Sequence, residues 1–162
     1  MEKYLTLEQA GDAKYVTRWL RERGPGANRK DAELFFEWGV QDRRRRHWSG
    51  AVKDFGESMI RYPGPEVLIA YANAELRLLG DIRAKDKNIA LHGPADMKRA
   101  LSFYEAALAA DGILNSLPAD EKELVQKNVE SMKVYLRTGK QQPDCPPLQY
   151  FVRSHLLRER RA

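Results

Sequence analysis

Scarcity sets the first limits on this chain. Cys145 is the only cysteine among 162 residues, so no disulfide can form within one copy, a usage that fits a reducing, cytoplasmic setting. His47, His92 and His155 are scattered, and none stands at a metal-ligand spacing from another or from Cys145. Cys145 itself lies in the proline-rich stretch QQPDCPP, which has no nucleophile signature. No apolar run is long enough to cross a membrane, and the opening MEKYLTLEQAGDAKYV is acidic too early for a secretory leader. Alternating apolar and polar residues of strand type are also missing, which excludes a phosphate loop set between strand and helix. These absences argue against an enzyme and call for no cofactor and no metal.

What is present is charge and helical periodicity. Lys plus Arg number 28 against 23 Asp plus Glu, a net charge of +5; this admits an acidic or phosphate-bearing partner but is also the balance of an ordinary mixed surface. A chain of this length makes one domain, able to bury about 70% of its unfolded surface without a staple. Thr6 and Gln9 form a capping box that opens an expected helix over 7–23, with Leu7, Ala10, Ala13, Val16 and Leu20 in one stripe and Gly24–Pro25 as its stop. Further helices are expected over about 30–45, 47–62, from Pro65 to Gly80, from Pro94 to about Ala110, from Pro118 to about Leu136, and over a short final stretch from Leu148. Acidic Asp120, Glu121 and Glu123 open the sixth of these, where they suit the helix dipole. The expected fold is all-α, about seven helices with short connections.

Two of these helix pairs share a register of about 34 residues, the mark of stacked units. In the first, Phe35, Trp38 and Gly39 precede Trp48, Ala51, Phe55, Ser58 and Pro63. In the second, Ile69, Ala72, Leu76 and Gly80 are followed by Ala100, Tyr104 and Ala107, with the 15 residues 81–95 inserted between the helices. In this pattern the chain resembles the tetratricopeptide repeat, over 32–65 and 66–112. Asp42, Asn73 and Gly112 depart from the pattern, Asp42 where an apolar residue is usual. The resemblance implies a short α-solenoid of antiparallel helix pairs, with 7–23, 118–138 and 147–160 as capping helices. Its packing logic is physical: Gly39 and Ala51 let two backbones close, while Phe35, Trp38, Trp48 and Phe55 fill the space around them.

The resemblance also implies a concave groove lined by the first helix of each unit. Its residues would be Glu33, Phe36, Glu37, Val40, Arg43 and Arg44, then Val67, Ala70, Tyr71, Ala74 and Arg77. An apolar floor with arginines at one end suits a helix or extended peptide of a partner protein carrying an acidic group. An equal expectation is that the amphipathic tail, Leu148 to Leu157, folds into this groove. The basic set Arg43, Arg44, Arg45, Arg46, Arg83, Lys85 and Lys87 would form one patch if the inserted loop lies beside the arginine run. Two function classes follow. A protein interaction adaptor is favoured, and a nucleic-acid-binding helical domain, using the patch and the tail arginines against phosphates, is the alternative. The sequence sets no oligomeric state.

Overall fold

The computed structural model describes residues 3–24, 26–85 and 94–139; the expected tail helix over 147–160, Lys87 and the centre of the 81–95 insertion lie outside them. Within the described residues every regular element is a helix. They are α1 (Leu7–Ala10), α2 (Ala13–Arg23), α3 (Arg29–Arg44), α4 (Trp48–Arg61), α5 (Pro65–Lys85), α6 (Pro94–Leu114) and α7 (Ala119–Thr138).

Local chemistry explains most of the boundaries. Thr6 and Gln9 do form the capping box, the Gln9 N–H donating to Thr6 Oγ1 at 3.1 Å and the Thr6 N–H to Gln9 Oε1 at 3.0 Å. The helix it opens lasts one turn, so the single helix expected over 7–23 is two. Gly11 stops α1, and Asp12 restarts the chain as the N-cap of α2, its Oδ1 accepting from the Lys14 N–H at 2.9 Å. Gly11 also serves the corner sterically: a Cβ there would stand 3.1 Å from the Phe103 ring. The α3–α4 turn is a Schellman motif, with His47 N–H donating to the Asp42 carbonyl at 2.9 Å and Arg46 N–H to that of Arg43 at 3.0 Å. Pro65 occupies the first helical position of α5, as expected. At the α6–α7 turn the carboxylate of Asp111, only 2% exposed, accepts from the Ser116 and Leu117 N–H groups at 3.0 and 2.8 Å and faces Lys122 Nζ at 3.4 Å.

The long helices pack in succession, α3 on α4, α4 on α5, α5 on α6 and α6 on α7, which is a solenoid-like all-α arrangement. The N-terminal helices depart from a simple end cap. Rather than extending the stack beyond α3, α2 packs on α6 and α1 on α4, so the segment 7–23 lies across the stack as a strap. Trp19, outside the expected stripe, is buried and meets Tyr62 edge to face, while Leu7, inside the stripe, is 40% exposed. Of the 81–95 insertion, 81–85 continue α5 beyond Gly80, and Pro94 and Ala95 already belong to α6.

Packing between the pairs follows the expected small and large residues, with two corrections. A Cβ on Gly39 would stand 2.5 Å from Phe55 Cδ1, so only glycine allows α3 to lie this close to α4. Ala51, Phe55, Pro63, Ala72, Leu76, Gly80, Ala100, Tyr104 and Ala107 are all buried. Tyr104 donates its hydroxyl to Asn73 Oδ1, which gives Asn73 a task that a small residue could not perform. Trp38, in contrast, is 47% exposed, and Phe35 is half-buried beneath Arg61, whose guanidinium lies 4.3 Å from the ring centroid. Trp38 therefore stays outside the α3–α4 contact and Phe35 meets α4 at Arg61, because α3 turns Ala32, Phe36, Gly39 and Val40 toward α4 and the core. Trp48 is half-buried, covered by Arg77 of α5 at 4.8 Å.

Candidate functional site

A cleft of about 380 Å³ lies at the N-terminal end of α3. Four segments build it: the first two turns of α3, the end of α4 with its turn, the start of α5, and the end of α6 with the following turn. Ala32, Phe36, Tyr62, Val67 and Leu114 supply apolar surface, while Arg29, Glu33, Glu66 and Ser116 stand among the polar lining. Ser58 ties its wall together, donating from Oγ to the Ala32 carbonyl at 2.7 Å with both groups buried. That bond holds α3 against α4 at the cleft floor, so the concavity is fixed by backbone position. Arg29 lies over the Tyr62 ring at 5.7 Å and pairs with Glu33 at 3.3 Å. Burial raises the Tyr62 phenol above its usual range, so it stays neutral and can donate. Two glutamates against one arginine leave the rim slightly acidic.

The expected groove residues separate into three groups. Glu33, Phe36 and Val67 meet at the cleft. Ala70, Tyr71 and Ala74 are buried, at 4%, 3% and 1% exposure, and cannot form a partner's floor. Tyr71 faces the other side of α5: its ring lies 4.9 Å from that of Phe103, and its hydroxyl accepts from Arg99 Nη2 at 3.1 Å. Arg99 Nε in turn meets Glu75 at 2.6 Å. Burial and the Glu75 charge push the Tyr71 phenol up to about 12, so this seam between α5 and α6 keeps one protonation state across neutral pH. These residues are interior because α5 is packed between α4 and α6, and Leu7 of the strap reaches Gly56 beside Tyr71.

The third group stands far from the cleft. Arg43 and Arg44 occupy the last turn of α3, about 20 Å along the helix axis from Arg29. Arg43 lies over Phe55 at 5.5 Å, Arg77 over Trp48, and Val40 packs against the core; Glu37 is exposed beside Leu34 on the outer side. Arg43, Arg44, Arg45 and Arg46 are all exposed, so the arginine run is a solvated corner. Arg83 and Lys85 belong to the last turn of α5. Behind the run, Asp42 and Asp54 share a hydrogen bond across the turn. Desolvation, then this bond and the repulsion between the two carboxylates, raise Asp54 to about 6. Gly50 admits Asp42 there, since a Cβ would stand 2.8 Å from its Oδ2.

Sequence reasoning missed Arg29, Tyr62, Glu66, Leu114 and Ser116. The first three adjoin expected elements, but Leu114 and Ser116 are brought in from beyond the second unit, and no local signal marks them. Among the described residues no three His, Cys, Asp or Glu side chains converge in a way that could hold a metal ion, and no helix is long and apolar enough to cross a membrane. No family model, curated protein or solved structure matches the chain.

Proposed function

We propose that the protein is a non-enzymatic, tetratricopeptide-like adaptor of the cytoplasm that holds a short segment of a partner protein by one apolar side chain. The observation that carries this reading is the cleft at the start of α3, where an apolar surface of Ala32, Phe36, Val67 and Leu114 is bordered by a few polar groups. Its volume of about 380 Å³ exceeds that of a single large side chain and lies at the lower end of ligand-pocket sizes. With Arg29 engaged by Glu33, the free rim charge is Glu66. The chemistry thus favours a peptide whose apolar anchor is flanked by a neutral or basic residue. The acidic flank expected from Arg43 and Arg44 finds no support at this place, because those arginines stand at the other end of α3.

A displayed library of short peptides, selected on the wild type and titrated against Glu66→Arg and Phe36→Asp, tests the reading. Selected peptides should carry an aliphatic or aromatic residue beside Lys or Arg and lose about tenfold affinity on Glu66→Arg, about 1.4 kcal/mol. Equal binding by both variants sinks the cleft as the site. The nucleic-acid alternative draws on the exposure of Arg43 to Arg46. It requires binding to mixed RNA or DNA that weakens steeply with salt, and no binding at low salt removes it.

A further inference from the structure

The outer line of α3 consists of Asp31, Leu34, Trp38, Gln41 and Arg45, spaced three and four apart, and all five are exposed. Leu34 and Trp38, at 51% and 47% exposure, are among the few large apolar side chains that the fold leaves open. The indole is not loose: it meets Phe35 edge to face with ring centroids 5.2 Å apart, and Phe35 is held under Arg61. In a stack of helix pairs, the free face of the first helix is the one a further unit would cover. Here the only helices preceding α3 among the described residues, α1 and α2, are engaged on α4 and α6 instead.

The charges along this line say what covers it. Asp31 stands two turns before Trp38 and Arg45 two turns after it, and neither makes an ion pair among the described residues. An acid at the start of a helix and a base at its end also suit the helix dipole, so their order alone would carry little. It gains meaning from the apolar pair enclosed between them on the same line. When an identical line is laid against it antiparallel, with the two-fold axis at Trp38, the two indoles meet. Leu34 then lies along the Gln41 stem of the other copy, and Asp31 faces Arg45 twice, about 10 Å either side of the axis. A parallel arrangement would set acid against acid and base against base.

We infer that the outer face of α3 binds a second copy of this chain, as an antiparallel, two-fold symmetric dimer centred on Trp38. One helix of 16 residues gives an interface at the small end of the range for specific association, so the dimer is weak, with a Kd of about 10 to 100 µM. The cleft lies on another side of α3 and stays accessible, so this inference and the peptide reading stand or fall separately.

Sedimentation velocity on the full chain from about 1 to 500 µM spans that range. The wild type should pass from monomer to dimer, and Trp38→Glu should remain monomeric throughout. Asp31→Arg and Arg45→Asp should each raise Kd by about tenfold, and the double variant, which exchanges the charges, should recover most of the loss. All three positions are solvent-exposed, and melting curves matching the wild type would establish that each variant is folded. A wild type monomeric at the highest concentration, or a dimer indifferent to Trp38→Glu, overturns the inference. So does a double variant no better than the single ones, since only the antiparallel pairing of Asp31 with Arg45 predicts recovery.

Discussion

Helices α3 and α6 have opposite fates in the packing. Helix α6 is enclosed by α2, α5 and α7. Met97, Ala100, Leu101, Phe103, Tyr104, Ala106, Ala107 and Ala110 are accordingly buried around most of its circumference. Helix α3 packs chiefly on α4, and only Ala32 and Gly39 of its residues are fully buried. The difference arises from the strap, because α2 supplies the third wall of α6 and so is not available to close α3. A molecule built this way has an enclosed centre and a less covered edge. Both surfaces assigned an interaction here, the cleft and the outer line, involve α3.

The largest test of that contrast compares aromatic truncations. Phe103→Ala, at a side chain 1% exposed and wedged among Tyr71, Gly11 and Arg99, should cost about 3 to 5 kcal/mol in urea unfolding. Trp38→Ala in dilute protein should cost about 1 kcal/mol or less, since half of its surface is already in water. Similar losses at both positions would mean that α3 is no edge.

The same contrast explains what the sequence disclosed. Several helix starts were legible because they rest on neighbours in the chain, such as Thr6 with Gln9 or Pro65 after Gly64, whereas the break at Gly11 and Asp12 was missed. The close approach of α3 and α4 at Gly39 was legible because small residues at 39 and 51 stand among large ones, though that it is Phe55 which lies against Gly39 was not. Where the strap would lie was not legible, for it depends on Gly11 fitting beneath Phe103, a match between residues far apart in the chain. The packing between helices was not legible either. Tyr71 became interior, Trp38 was left outside, and a groove along both units was reduced to a cleft at one end of α3.

A smaller effect sharpens the edge character of the α3–α4 turn. Arg46 sits at φ +60°, in the left-handed position that closes a Schellman motif and normally falls to glycine. The Cβ of an L-residue costs about 1 to 2 kcal/mol there, and part of this returns through the greater freedom glycine gives the unfolded chain. Arg46→Gly should therefore raise stability by about 1 kcal/mol in urea unfolding. A loss of stability would mean that the guanidinium makes an intramolecular contact outweighing the strain. The turn is stabilised less than it could be, whereas the α6–α7 turn spends a buried carboxylate, Asp111, on its backbone.

The smallest effect lies beside the same turn and depends on pH. Asp54 is raised to about 6 by burial and by Asp42, whereas its carboxyl in the unfolded chain titrates near the usual 3.8. Between these values the folded state holds more protons than the unfolded one, so stability falls as pH rises from about 4 to about 6 and is flat above. The group is only partly buried, so solvent screening keeps this contribution to about 1 kcal/mol. Asp54→Asn should flatten the fall in melting temperature across that window and raise it slightly at pH 7. No such change is expected at the α5–α6 seam, where Tyr71 titrates far above neutrality. If the slope survives in Asp54→Asn, the carboxylate pair is not its source. If it disappears, the pH response of this fold lies at its exposed corner, and the enclosed centre takes no part in it.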